Sequence, residues 1–163
     1  MIVHADRVAP TPWKNGGGVS RDLLFWPDAI AWRVRVSLAD IAADGPFSAY
    51  PGVQRWFAVV EGDGVELAFA DSTRLVRAGD APLEFDGADA PGCRLLAGPT
   101  RDLNLMLQDG ARGVLRRAAP GVAWSEDWPQ RGRFDIATRT LEWGLPAGPL
   151  HTAGAGFWIG VAT

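Results

Sequence analysis

Alternation of period two constrains this chain more than any other feature. From residue 30 to 38, Ile30, Trp32, Val34, Val36 and Leu38 fall on one side, with Arg33, Arg35 and Ser37 on the other. Successive side chains of an extended strand point to opposite faces, so this spacing describes a strand with one apolar face. A helix would instead repeat its apolar positions every three to four residues. The same logic applies around residue 105, where Leu103, Leu105 and Leu107 oppose Asp102, Asn104 and Met106. Further strands are expected over Arg74–Arg77, Leu83–Phe85, Arg94–Ala97, Gly113–Arg116, Arg133–Thr140 and Phe157–Val161. The apolar run Trp56–Val60, the turn Glu61-Gly62-Asp63-Gly64 and the alternating Val65, Leu67 and Phe69 together read as a hairpin. Asp40–Ala43 suits a single helical turn, and the weak pattern around Ala118–Ala123 suits a loop or seam.

With 20 glycines and 12 prolines in 163 residues, the chain is punctuated too often for a helical bundle. Short strands joined by turns, and hence an all-β domain, are the consistent reading. A hydrophobic content of 47% against 21% charged residues is enough to bury a core for one domain over 1–163. No apolar run approaches the ~20 residues that span a bilayer, so no membrane partner is expected. The opening Met1–Arg7 has no basic region followed by an apolar stretch, which gives the expectation of a cytoplasmic protein. A net charge of -3 has the wrong sign for gripping nucleic-acid phosphates. The lone Cys93 excludes an internal disulfide and a cysteine-based zinc cluster. A small-molecule partner is what remains.

Two segments carry the chemistry. In Pro12-Trp13-Lys14-Asn15-Gly16-Gly17-Gly18-Val19-Ser20-Arg21-Asp22-Leu23 the only lysine of the chain precedes three glycines. A phosphate-binding loop needs its lysine after the glycines and followed by Ser or Thr, so this is a different device. Its plain reading is a tight turn leading into an edge strand. The second segment, Asp44–Trp56, runs into the Glu-Gly-Asp-Gly turn and then reaches Ala78-Gly79-Asp80, an order that resembles the cupin barrel. Counted from Gly62 and Gly79, the metal-ligand positions of a cupin hold Ser48, Tyr50, Arg55 and a residue near Ala90. None of these is a metal ligand, and a guanidinium repels a cation while gripping a carboxylate through parallel N–H bonds. The structural alternative is that Arg55 pairs with an acid such as Asp44 or Asp102.

Taken in order, Pro12–Leu23, Trp32-Arg33 with Ser37–Ala39, Asp44–Gly52 with Arg55, Phe85–Gly87 and Leu96–Met106 resemble the HutD/Ves family. The resemblance implies a metal-free, cofactor-free, cupin-like jelly roll in a compact bicupin-like arrangement, with a second half over roughly 100–163 packed on the first. It implies a non-catalytic protein that regulates or buffers histidine utilisation by binding a pathway acid such as urocanate or formylglutamate. Carried over position by position, the ligand-binding candidates are Trp13, Lys14, Asn15, Ser20 and Arg21, then Phe47, Ser48 and Arg55, then Arg101, Asp102, Asn104 and Met106. Tyr50 joins them from the cupin count. A different reading is a metal-independent, isomerase-like cupin enzyme acting on a small acid or sugar, with Tyr50, Lys14 or Asp102 as general base. A third is an interaction module working through a strand edge or the strip Arg112, Arg116 and Arg117. A homodimer is compatible with all three. His4 and His151 lie near opposite ends without companion ligands, and the neighbouring Glu126 and Asp127 point apart on any regular element.

Overall fold

Alternation becomes three antiparallel sheets. The computed structural model describes residues 1–163. Its strands are β1 (Ile2–His4), β2 (Thr11–Pro12), β3 (Gly18–Trp26), β4 (Val34–Ile41), β5 (Gly45–Pro46), β6 (Gln54–Glu61), β7 (Val65–Ala68) and β8 (Thr73–Val76). They continue with β9 (Leu83–Asp86), β10 (Gly92–Leu95), β11 (Thr100–Leu107), β12 (Arg112–Ala118), β13 (Gln130–Asp135), β14 (Thr140–Trp143) and β15 (Gly156–Ala162). Helical structure is confined to two 3-10 turns, Ala5–Arg7 and Gly87–Asp89. No helix is long and apolar enough to cross a membrane.

A six-stranded sheet, in the order β2-β3-β4-β11-β6-β9, forms the middle layer. One face carries Val36, Leu38, Trp56, Ala58, Leu103, Leu105 and Leu107 into the larger core. There they meet Leu115, Phe134, Leu141, Phe157 and Ile159 of the five-stranded sheet β1-β14-β13-β15-β12. Each fully buried leucine contributes about 2 kcal/mol of transfer free energy, so the strict alternation of β4 and β11 locks their register. The opposite face carries Phe57 and Val59 against Val65, Leu67, Val76 and Cys93 of the four-stranded sheet β5-β10-β7-β8. The all-β fold class therefore holds.

Several local expectations are corrected. The turn at 61–64 does not close a hairpin: β6 pairs with β9 and β11, while β7 pairs with β8 and β10 of another sheet. It is a corner that carries the chain from one layer to the next. Asp40 and Ile41 continue β4 instead of forming a helical turn, because Ile41 is held opposite Thr100 and Gly18. Ile30 and Trp32 lie outside the strand. The segment from Pro27 to Arg33 is a loop closed by Arg33 N–H donating to Trp26 O at 2.8 Å, and Ile30 is 97% exposed. The single strand expected over 133–140 is two, β13 and β14. Asp135 Oδ1 accepts from Thr138 N–H at 2.9 Å and from its hydroxyl at 3.0 Å, a side-chain turn that ends the first strand.

Candidate functional site

The face of the middle sheet opposite the larger core supports a cavity of about 600 Å³, bounded by the segments 11–15 and 46–50. Strand register sets the grid of the sheet face on which it rests. Ser20, Ala39 and Asp102 lie side by side, as do Asp22, Ser37, Asn104 and Phe57, and then Phe25, Arg35, Met106, Arg55 and Phe85. Of the residues singled out from sequence, Trp13, Lys14, Asn15, Ser20, Phe47, Ser48, Tyr50, Arg55, Asp102, Asn104 and Met106 line this cavity.

The glycine-rich motif shapes the cavity's mouth. Gly16 has φ +73°, the left-handed region that favours glycine. Asn15 Oδ1 then accepts from Gly17 N–H at 2.8 Å. Gly18 lies so close to the Asp40 carbonyl and the Trp13 ring that any side chain there would collide with both. The ring of Trp13 donates its Nε1–H to Ser20 Oγ at 2.7 Å and meets Phe47 edge-on, centroids 6.4 Å apart. Lys14 is thereby left at the rim, exposed and lining the cavity.

Arg55 dominates the floor. It is only 5% exposed, and its guanidinium lies 5.0, 5.1 and 5.8 Å from the ring centres of Phe85, Phe47 and Tyr50. Such rings favour a cation over their faces. Its one hydrogen bond runs from Nη2 to Asn104 Oδ1 at 2.8 Å, and Nε has no partner. Asn104 in turn donates Nδ2–H to Asp102 Oδ2, so the amide bridges cation and carboxyl. Burial lowers the Arg55 pKa to about 10, against the pull of Asp102, and leaves it charged at neutrality. Burial pushes the Asp102 carboxyl up to about 7, although the Asn104 hydrogen bond and the Arg55 charge both pull it down. Its Oδ1 is buried without a partner.

Arg35, which sequence reasoning did not single out for the site, stands two strands away from Arg55. Its Nε donates to Asp22 Oδ1 at 2.7 Å, and its guanidinium lies 5.6 Å from the Phe25 ring centre. Burial disfavours its charge, but the Asp22 hydrogen bond and charge outweigh that and raise its pKa. Arg35, Asp22 and Ser37 were missed because the polar face of an alternating strand reads as a solvated one. The signal was their shared parity: Arg35 and Ser37 occupy the same face of β4.

Arg21 and Arg101 lie elsewhere. Both pair with Asp40, at 2.9 and 2.6 Å, and Arg101 also reaches Glu61 at 3.1 Å. Parity explains this placement, since Arg101 shares its face with Leu103, Leu105 and Leu107 and not with Asp102. Asp40 is held below the ordinary carboxylate range: burial raises it, but hydrogen bonds and charge from Arg101 and Arg21 prevail. Asp44, the other acid considered for Arg55, instead accepts from Leu95 N–H at 2.8 Å.

No three His, Cys, Asp or Glu side chains converge into a metal-ligand cluster. Ser48, Tyr50 and Arg55, which the cupin resemblance counts at metal-ligand positions, line the cavity wall, and as a set they do not fit a divalent cation. Burial pushes the Cys93 thiol up to about 12, helped by Asp102 and Asp44, so it is no nucleophile. His4 is engaged with Thr140 Oγ1 at 3.0 Å.

The HutD family profile matches residues 5–126. An uncharacterised 21.2 kDa protein from the hutC 3′ region of Pseudomonas putida is 40% identical over 111 residues, 65% of this chain and 57% of that protein. Protein Ves of Citrobacter koseri is 33% identical over 96 residues, 58% of this chain and 50% of that one. The chain thus spans about half the length of these curated relatives. Among solved structures, HutD from Pseudomonas fluorescens SBW25, described as a formate condition, superposes with a TM-score of 0.88 at 24% identity, over 99% of this chain and 97% of that one. A conserved protein of unknown function from Pseudomonas aeruginosa PAO1 gives 0.81 at 22% identity, over 99% and 96%. With a profile match over most of its length and an architecture shared from end to end, the chain belongs to the HutD family.

Proposed function

We propose that this protein binds a small organic carboxylate without transforming it and so regulates or buffers histidine utilisation, a setting matched by the hutC-region relative. One observation carries the reading: the buried Arg55 at the cavity floor makes a single hydrogen bond, to a neutral amide. A buried cation with open donors is costly unless an anion completes it. A carboxylate offers acceptors in the planar geometry a guanidinium prefers. Trp13, Phe47 and Met106 supply the apolar wall, Ser48 and Asn15 add polar groups, and Lys14 adds charge at the mouth. Only 6 of the 19 lining residues are hydrophobic, a more polar lining than a small-molecule site usually has, which suits a charged ligand.

Calorimetric titration of urocanate, formylglutamate and formate against the wild type and Arg55→Ala tests it. At least one acid is expected to bind the wild type, and its affinity should fall about 30-fold or more in the variant, the cost of removing one side of a buried charged contact. Indistinguishable heats for both proteins with every acid would discard the reading.

A second reading, a metal-independent enzyme, is favoured by Asp102, whose pKa near 7 suits proton transfer at neutral pH. Incubation with the same acids followed by mass spectrometry separates the two: unchanged acid supports binding alone, and a new mass supports catalysis.

A further inference from the structure

Among the charged groups of the cavity, Arg35 is engaged by Asp22 at 2.7 Å, and Lys14 stands exposed at the rim. Arg55 is therefore the uncommitted cation within the buried floor, and through Asn104 it is linked to Asp102, which is 2% exposed. The groups that bear on Asp102 from the packed elements are Arg55 on β6, Asp40 on β4 and the neutral thiol of Cys93 on β10. One favours its charge and one opposes it.

We propose, resting on the carboxylate reading above, that this site takes its anion together with a proton, and that the proton lands on Asp102 as Arg55 exchanges its attraction to Asp102 for the ligand. A carboxylate against Arg55 sets two anions beside one buried cation. That arrangement adds a like charge near Asp102 and divides the pull of the guanidinium, and both changes favour the neutral acid. The proton has a defined destination. Oδ2 already accepts the Asn104 amide N–H, whereas Oδ1 is buried without a partner. Because burial already holds the carboxyl near 7 before any ligand arrives, a modest perturbation suffices to protonate it. Asn104 is a positioning residue in this scheme: it fixes which oxygen stays an acceptor and keeps Arg55 and Asp102 from pairing directly.

The test is calorimetry with formate and formylglutamate, whose carboxylates stay ionised from about pH 6.5 to 8.5. At about pH 8 the binding heat should differ between phosphate and Tris buffers by an amount corresponding to about one proton taken up per ligand. The dissociation constant should rise about tenfold per pH unit above 7. Asp102→Asn should bind with a heat that is the same in both buffers and an affinity that no longer depends on pH. Binding by the wild type with buffer-independent heat and a flat pH profile overturns proton coupling and leaves carboxylate binding intact. Absence of binding by either acid at every pH overturns both. The wild-type buffer comparison decides the matter even where Asp102→Asn does not fold.

Discussion

Two arginines of this protein are buried to nearly the same degree, Arg55 at 5% exposure and Arg131 at 3%, and both lie over aromatic rings. Their surroundings differ in one respect. Arg131, on β13, donates Nη1–H to the carbonyls of Pro146 and Gly148 at 2.6 and 2.8 Å, and Nη2–H to Trp124 O at 3.5 Å. It caps a stack in which Trp124 lies parallel to Trp158 with centroids 5.5 Å apart, and Arg133 covers the far side at 5.8 Å. Its guanidinium fastens the segments 119–129 and 144–150 to the five-stranded sheet. Arg55 gives one hydrogen bond to an amide and faces a cavity. Burial of a charge does not identify a site; Nε is unpartnered in both arginines, and the distinction is that backbone carbonyls engage both terminal nitrogens of Arg131, whereas a single amide engages Arg55.

The sharpest way to break this comparison is Arg131→Ala. Three backbone carbonyls would lose a charged donor, so unfolding free energy should drop by about 3 kcal/mol or more, measured by urea denaturation. Carboxylate heats should stay as in the wild type. Equal stability in the variant would remove the assignment of Arg131 to structure.

The next effect concerns Asp102. Its folded pKa of about 7 lies above the ~3.9 of an unfolded aspartate, so the native state holds the proton more tightly. Its contribution to stability is complete below about pH 4 and is lost as pH rises through 7, by a few kcal/mol. Asp40 and Asp135 have lowered values and act with the opposite sign, losing stability as pH falls through their own range. The difference in unfolding free energy between wild type and Asp102→Asn isolates the first effect, and it should shift against the wild type between about pH 4 and 7. A pH-independent difference would refute the raised value.

The smallest contrast sets Lys14 against Arg101. Lys14→Ala should weaken carboxylate binding several-fold at low salt and less at high salt, as expected of an exposed rim charge. Arg101→Ala should leave binding untouched and cost no more than about 1 kcal/mol of stability, because its partners Asp40 and Glu61 are partly solvated. A binding loss in Arg101→Ala as large as that in Lys14→Ala would place Arg101 back in the site.

Local pattern made much of this legible. The alternation in β4 and β11 separated the leucine face from the face of Asp102, Asn104 and Met106, and the latter is the cavity floor. The same parity, applied more strictly, would have moved Arg101 off the site and brought Arg35 and Ser37 onto it. Other features lay beyond local pattern. The Glu61–Gly64 segment is a turn by composition, but whether the next strand returns to β6 or crosses to another sheet depends on partners distant in sequence. The bulge in β3 between Asp22 and Leu24 shifts which side chains face the cavity, and nothing in the spacing announces it.

By itself, then, the sequence determined an all-β chain, its family and the two faces of its central strands. These follow from neighbour-to-neighbour geometry and residue chemistry. Only the tertiary structure decided which arginines are engaged and which stay open: Asp22 reaches Arg35, Asp40 reaches Arg21 and Arg101, and backbone carbonyls reach Arg131, while an amide alone reaches Arg55. Pairing of this kind is set by sheet register and layer packing, which bring together groups separated by tens of residues along the chain.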